Sequence, residues 1–237
     1  MSFQLIVPIA ADKKEYSNTM PYLFNLNSDG IMLCIKSILG LNLDIFDKIY
    51  FTILKKHNDP YYLNEMFNIQ FKRTNLLGKA ELIILDEPTE SQPETIVKSL
   101  ETAHIHGAFM VKDADSYFTG NIEIGNYICT FPLDALKQVN PQNKSYVTID
   151  DMYYITNIIE KKIISRHFCA GGYIFKDADA FIQEYKKINC KKGIYISHII
   201  YSMLLNKINF RPISVKGYQD WGTEEDWLWL RSNKISK

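Results

Sequence analysis

Four short runs in the first half of this chain are mostly apolar rather than alternating: Leu5-Ile6-Val7-Pro8-Ile9-Ala10-Ala11, and residues 48–54, 80–85 and 106–111. A strand with one wet face alternates apolar and polar side chains, whereas a strand apolar on both faces belongs to a parallel sheet covered on both sides. Between these runs lie segments with helical spacing: 30–41 (Ile31, Cys34, Ile35, Ile38, Leu39), 63–71 and 93–106, the last opened by Pro93 and Glu94. Strand and helix thus alternate from residue 1 to about 118. That rhythm predicts an open, doubly wound α/β sheet, whose ligands sit beyond the carboxyl ends of its strands.

The second half reads differently. Shorter strands are predicted at 125–131, 145–149, 153–160, 163–166, 170–175 and 210–215, and helices at 177–187, 194–205 and 224–231, with Thr223 as the last N-cap. This half is expected to be mixed and partly antiparallel. No Pro/Gly/Ser-rich linker divides the 237 residues, so one continuous unit over 1–237 is expected. The 27 basic and 27 acidic side chains cancel, which leaves no global field for nucleic acid or an anionic membrane. Phosphate binding must therefore be local. Cys34, Cys129, Cys169 and Cys190 have neither C-x-x-C spacing nor disulfide-scaffold density and read as reduced, buried thiols. The first apolar run lacks a basic leader and no stretch approaches about 18 apolar residues, so a cytoplasmic protein without a transmembrane segment is expected. The five histidines show no ligand-like spacing, and Trp221, Trp227 and Trp229 read as packing residues.

The chemistry gathers at two acidic motifs. The apolar run 108–111 ends in Lys112-Asp113-Ala114-Asp115, and the chain later reads Asp220-Trp221-Gly222-Thr223. Mg²⁺ takes one or two carboxylates and completes its shell with phosphate oxygens and waters, so Asp115 and Asp220 form a candidate pair with Asp113 in reserve. If the strand continued through Ala114, Asp113 and Asp115 would point the same way.

Several segments, in order and over most of the chain, resemble the sugar-phosphate and CDP-alcohol nucleotidyltransferases of GT-A-like fold. Leu5 to Ala11 looks like the first strand and the start of the nucleotide-phosphate loop, and Thr89-Glu90-Ser91-Gln92-Pro93-Glu94-Thr95 is similar to the T-x-G-x-x-x-T segment near the base. Asp115-Ser116-Tyr117-Phe118 resembles the run whose Asp binds metal, and Asp220-Trp221-Gly222-Thr223 the D-x-G-T motif that completes the site. Glu160-Lys161, with Gly171-Gly172-Tyr173-Ile174-Phe175, resembles the pair of motifs that holds the phosphorylated acceptor. The resemblance implies a single-domain Rossmann-like, GT-A-type mixed and mainly parallel sheet flanked by helices, with a nucleotide half over about 1–118 and an acceptor half over about 119–237.

It also implies a reaction. An acceptor phosphate attacks the α-phosphorus of an NTP, CTP or another, and pyrophosphate leaves, with Mg²⁺ or Mn²⁺ held by Asp115 and Asp220. Ala10, Ala11, Thr89, Gln92 and Thr95 would meet the nucleotide, and Glu160, Lys161, Gly171 and Gly172 the acceptor, a sugar phosphate or a precursor of a capsule or lipooligosaccharide phospho-substituent. A homodimer is compatible with this reading. The chain departs from the family where G-x-G-x-R is expected, since it reads Ala10-Ala11-Asp12-Lys13-Lys14-Glu15, and Lys13 or Lys14 would replace the arginine. Tyr22 follows Pro21 where a lysine is expected, and Ser91 replaces the base-site glycine. Two other readings stay open: a GT-A glycosyltransferase using an NDP-sugar through Asp113-Ala114-Asp115, and a catalytically silent nucleotide-binding homologue.

Overall fold

Successive side chains of a strand point to opposite faces, and in β1 (Phe3–Pro8) both faces are apolar. Leu5 and Val7 enter one core with Ile35, Phe51 and Phe67, while Ile6 enters a second with Ile96, Leu100 and Phe109. The computed structural model describes residues 2–10, 20–136, 141–189, 192–226 and 228. Around β1 stand β2 (Lys48–Leu54), β3 (Ala80–Leu85) and β4 (Ala108–Lys112), with β2 and β4 parallel to β1 and β3 parallel to β2. The helices that follow cover both faces: α1 (Leu33–Lys36), α2 (Lys55–Tyr61) and α3 (Leu63–Arg73), then α4 (Gln92–Thr102). Cys34, Ile35, Phe67 and Phe71 of α1 and α3 close the first core, and Ile96 and Leu100 of α4 the second. Core substitutions here should behave accordingly, a Leu→Ala change costing about 2–5 kcal/mol.

Beyond β4 the direction of the chain reverses. The remaining strands are β5 (Ser116–Thr119), β6 (Tyr127–Pro132), β7 (Ser145–Ile149), β8 (Ile155–Glu160), β9 (His167–Phe175), β10 (Arg211–Ser214) and β11 (Lys216–Asp220). β9 runs antiparallel to β4, β6 and β7, and the main sheet has the order β10-β6-β9-β4-β1-β2-β3, with β7 also pairing β8. A separate two-stranded sheet joins β5 to β11. The helices α5 (Ala178–Lys187) and α6 (Ile196–Leu205) lay Phe181, Ile196 and Ile199 into the second core. The α/β architecture is as expected from the sequence, including the change from parallel pairing to mixed pairing near residue 118. No helix among the described residues is long and apolar enough to cross a membrane.

Several elements differ from expectation for physical reasons. The helix expected over 30–41 contracts to the single turn of α1, because Leu33 N–H donates to Asn25 O and Met32 N–H to the Gln70 side chain, which holds the segment before it extended. The strand expected over 163–166 does not form. Lys161 adopts a left-handed conformation (φ 56°) that ends β8, and Ser165 Oγ donates to Val147 O while accepting from His167 N–H, so the chain turns directly into a longer β9. The helix expected to reach 106 stops at Thr102, with His104 left-handed (φ 52°) beyond it. Sequence periodicity missed α2, β5 and β11. For the final helix, Asp226 N–H donates to Thr223 Oγ1 at 3.0 Å as an N-cap would receive it, while Trp227 and residues 229–231 lie outside the described residues. Cys34, Cys129 and Cys169 are buried free thiols, and Cys190 lies outside the described residues.

Candidate functional site

The end of β4 is held by a buried cation. Lys112 is fully enclosed, and its ammonium donates to Asp113 O, Ser116 O and Ser116 Oγ at 2.7 to 2.8 Å, which ties the turn 113–116 into a loop. Burial pushes its amine down to about 8, against the pull of Asp113 and Asp115. β4 ends at Lys112, so the continuing strand that would have aligned Asp113 with Asp115 is not formed. Asp113 turns toward Gly171, whose carbonyl accepts its N–H at 2.8 Å, and its carboxylate accepts from Gln92 Nε2 at 2.6 Å. Burial, reinforced by the charge of Asp115, raises the Asp113 carboxyl to about 6.

The second carboxylate arrives through strand pairing. In the β5–β11 ladder Asp220 lies opposite Ser116, and Trp221 N–H donates to Asp115 O at 2.7 Å. Trp221 is buried against Tyr117, with ring centroids 6.1 Å apart, and its carbonyl accepts the Tyr22 hydroxyl at 2.5 Å. Asp115 and Asp220 are thereby neighbours at one cleft. Burial holds the Asp220 carboxyl above its ordinary range, although Lys144 lies 2.6 Å from Asp220 Oδ2 and favours the charged form. Among the described residues no three or more His, Cys, Asp or Glu side chains gather as a metal cage. Two carboxylates open to a cleft are nonetheless the hard oxygen donors that Mg²⁺ uses when phosphate and water complete its shell, and in that sense Asp115 and Asp220 fit.

Glu160 and Lys161 line the same cleft. Glu160 Oε2 accepts from Ser197 Oγ at 2.7 Å and also from Ser145 Oγ, while Lys161 Nζ donates to the Tyr195 hydroxyl at 2.6 Å. The Lys161 backbone N–H donates to Lys144 O at 2.9 Å, so the two lysines are fastened to each other through the main chain. The cleft measures about 770 Å³ and is lined among others by Gln92, Asp113, Asp115, Glu160, Lys161 and Asp220. That volume admits a nucleotide-sized ligand.

The architecture around this cleft has known counterparts. A nucleoside-diphosphate-sugar pyrophosphorylase from Vibrio cholerae RC9 superposes with a TM-score of 0.73 at 15% identity, covering 97% of this chain and 99% of that one. The inositol-1-phosphate CTP transferase from T. maritima gives 0.72 at 14% identity (99% and 96% covered), and a UDP-glucose pyrophosphorylase complexed with UDP-glucose gives 0.70 at 14% (100% and 99%). The fold is that of the sugar-phosphate nucleotidyltransferases. No family model and no curated protein matches the sequence.

On this nucleotidyltransferase fold the expected site residues divide. Asp113, Asp115, Asp220, Gln92, Glu160, Lys161 and Gly171 line the cleft. Ala10, Thr89, Thr95 and Gly172 do not: Thr95 is buried and meets Thr89 Oγ1 at 2.6 Å, and Thr89 lies 3.4 Å from Ala10 O. This threonine pair braces the loop before α4, where Ser91 Oγ accepts the Glu94 N–H as N-cap. Ala11, Lys13 and Lys14 lie outside the described residues. Lys144, Ser145, Ser197 and Tyr195 were not singled out from sequence, since no motif marks a residue that reaches the site through a distant strand or loop; Lys112 was read only as part of its acidic motif, with no role of its own.

The two neighbouring glycines have different duties. A Cβ on Gly172 would meet Phe118 and Cys129 at 2.7 and 2.8 Å, inside the core. Gly171 has φ +81°, and a Cβ there would meet Ser116 Oγ at 2.7 Å and Asp113 Oδ2 at 2.8 Å. Gly171→Ala should therefore lower stability by roughly 2–3 kcal/mol, from the left-handed penalty and the displaced acidic turn. Chemical denaturation followed by circular dichroism measures it.

Proposed function

We propose that this protein is a metal-dependent nucleotidyltransferase that moves NMP from an NTP, CTP or another, to a phosphorylated small acceptor such as a sugar phosphate. The observation that carries the reading is the meeting of Asp115 and Asp220 through the β5–β11 ladder, in a cleft that Glu160 and Lys161 also line. An acceptor phosphate oxygen attacks the α-phosphorus; the bond to the β-phosphate oxygen breaks, and pyrophosphate leaves. A dianionic phosphate needs no general base, so the protein's task is alignment and charge neutralisation.

Lys161 would hold the acceptor phosphate, and Glu160, kept in place by Ser145 and Ser197, would accept from the acceptor's hydroxyl or amino group. Asp115 and Asp220 would hold Mg²⁺, which supplies Lewis-acid charge at the phosphates. Lys13 or Lys14 would take the arginine's part in neutralising the donor phosphates. The Lys112 clamp keeps the acidic turn in place before substrate arrives, which is the preorganisation that electrostatic catalysis requires. Buried thiols suit a cytoplasmic enzyme, and one acting in surface-polysaccharide or phospho-substituent synthesis fits the acceptor chemistry.

Pyrophosphate release, measured with each NTP against a panel of sugar phosphates and alcohol phosphates in Mg²⁺, tests the reading. At least one combination should turn over. Stabilisation by NDP-sugars and by no NTP, with NDP released, would overturn it in favour of a glycosyltransferase. Against that second reading, Asp113 of the D-x-D run is already engaged by Gln92 and Gly171.

A further inference from the structure

The charged side chains that line the cleft among the described residues are mostly carboxylates, among them Glu90, Asp113, Asp115, Glu160, Asp220 and Asp226, against two lysines, Lys144 and Lys161. Lys112 lies beneath, with its ammonium committed to the 113–116 loop. Lys144 is therefore the cation applied to Asp220. Its ammonium sits 2.6 Å from Oδ2, while Gly222 N–H donates to Oδ1 at 3.2 Å, so each oxygen of the carboxylate already has a partner. The pair is largely shielded, at 13% and 16% side-chain exposure, and the ammonium also lies 5.6 Å from the centre of the Tyr218 ring.

We propose that Lys144 is an internal counter-ion that occupies the divalent cation's place on Asp220 and surrenders it when metal arrives with phosphate. The proposal rests on Asp115 and Asp220 being the metal pair. Two cations cannot share Oδ2 at close range in a shielded cleft without strong repulsion, so one must leave. A lysine can do so, because its charge rides on a flexible four-carbon stem, and a phosphate gives the released ammonium a new anion. Lys161 stands beside it as a second phosphate partner, tethered through the Lys144 carbonyl. Two properties follow: the free protein binds metal weakly, and phosphate strengthens metal binding. Metal and donor thus bind cooperatively, since each removes a cost from the other.

The test is calorimetric titration of Mn²⁺ into the free protein, with and without pyrophosphate as the phosphate probe. Lys144→Gln should bind Mn²⁺ on the order of tenfold more tightly than wild type in the absence of pyrophosphate, and should lose most of the enhancement that pyrophosphate gives wild type. Lys144→Arg, which keeps the charge, should remain weak. Should Lys144→Gln not fold, Lys144→Ala carries the same measurement. Affinity of the neutral variant within twofold of wild type, or weaker, overturns the counter-ion role while leaving the metal pair intact. A flat titration for wild type and variant alike, with and without pyrophosphate, overturns the proposal together with the metal site.

Discussion

Asp220→Asn should reduce turnover by at least ~10²-fold while leaving the fold intact. Asparagine has nearly the shape of aspartate and keeps an Oδ1 that can accept the Gly222 N–H, so the local turn has no reason to open. What disappears is one of the two charges proposed to answer a divalent cation, and with it the partner of the Lys144 ammonium. Leaving a shielded ammonium unpaired costs roughly 1–3 kcal/mol, discounted because Lys144 keeps some contact with water. Steady-state pyrophosphate release measures the first effect, and urea denaturation the second. A variant with full turnover would remove Asp220 from the metal pair. Asp115→Asn should match it in activity, because in the proposed site the two carboxylates act on one ion.

The second large effect is expected at a residue that touches no ligand. Gly40 lies where the turn after α1 passes β5, and a Cβ there would stand 2.0 Å from the Phe118 carbonyl oxygen and 2.9 Å from its carbon. Backbone cannot swing aside as a flexible side chain does, so Gly40→Ala forces β5 away from the turn. The cost should be about 3 kcal/mol or more. Leu41 bridges Gly120 just beyond β5, which holds the two segments together next to the clash. Because β5 carries Ser116 opposite Asp220, the displacement should also spread the acidic pair. Thermal denaturation reads the loss of stability. Weaker Mn²⁺ binding by the folded fraction reads the loss of the site, and an unchanged affinity would mean that β5 does not position the pair.

These two residues differ in how readily the sequence discloses them. Asp220 belongs to a run of recognisable composition, whereas Gly40 reads only as the stop of a helix. Its actual constraint comes from Phe118, a residue distant in sequence. The strands β1 to β4 were legible because burial on both faces leaves the same apolar signature wherever it occurs. Helix α1 was overestimated because the side chain of Gln70 and the backbone of Asn25 compete for amides that the local pattern assigned to the helix. The expected strand at 163–166 failed for a similar reason: Lys161 and Ser165 supply a turn that apolar content does not announce.

For the site, sequence alone determined which carboxylates were available and that a strand end would present Asp113 and Asp115, because both follow from short-range period and composition. It also marked Glu160, Lys161 and Gly171. Only the tertiary structure decided that Asp115 and Asp220 become neighbours, that Asp113 is diverted to Gln92, that Thr89 and Thr95 brace a loop, and that Lys144 sits on Asp220. The physical reason is range. Periodicity reports how each residue meets its own local environment, whereas charge pairing depends on distances between segments that only the assembled sheets bring together.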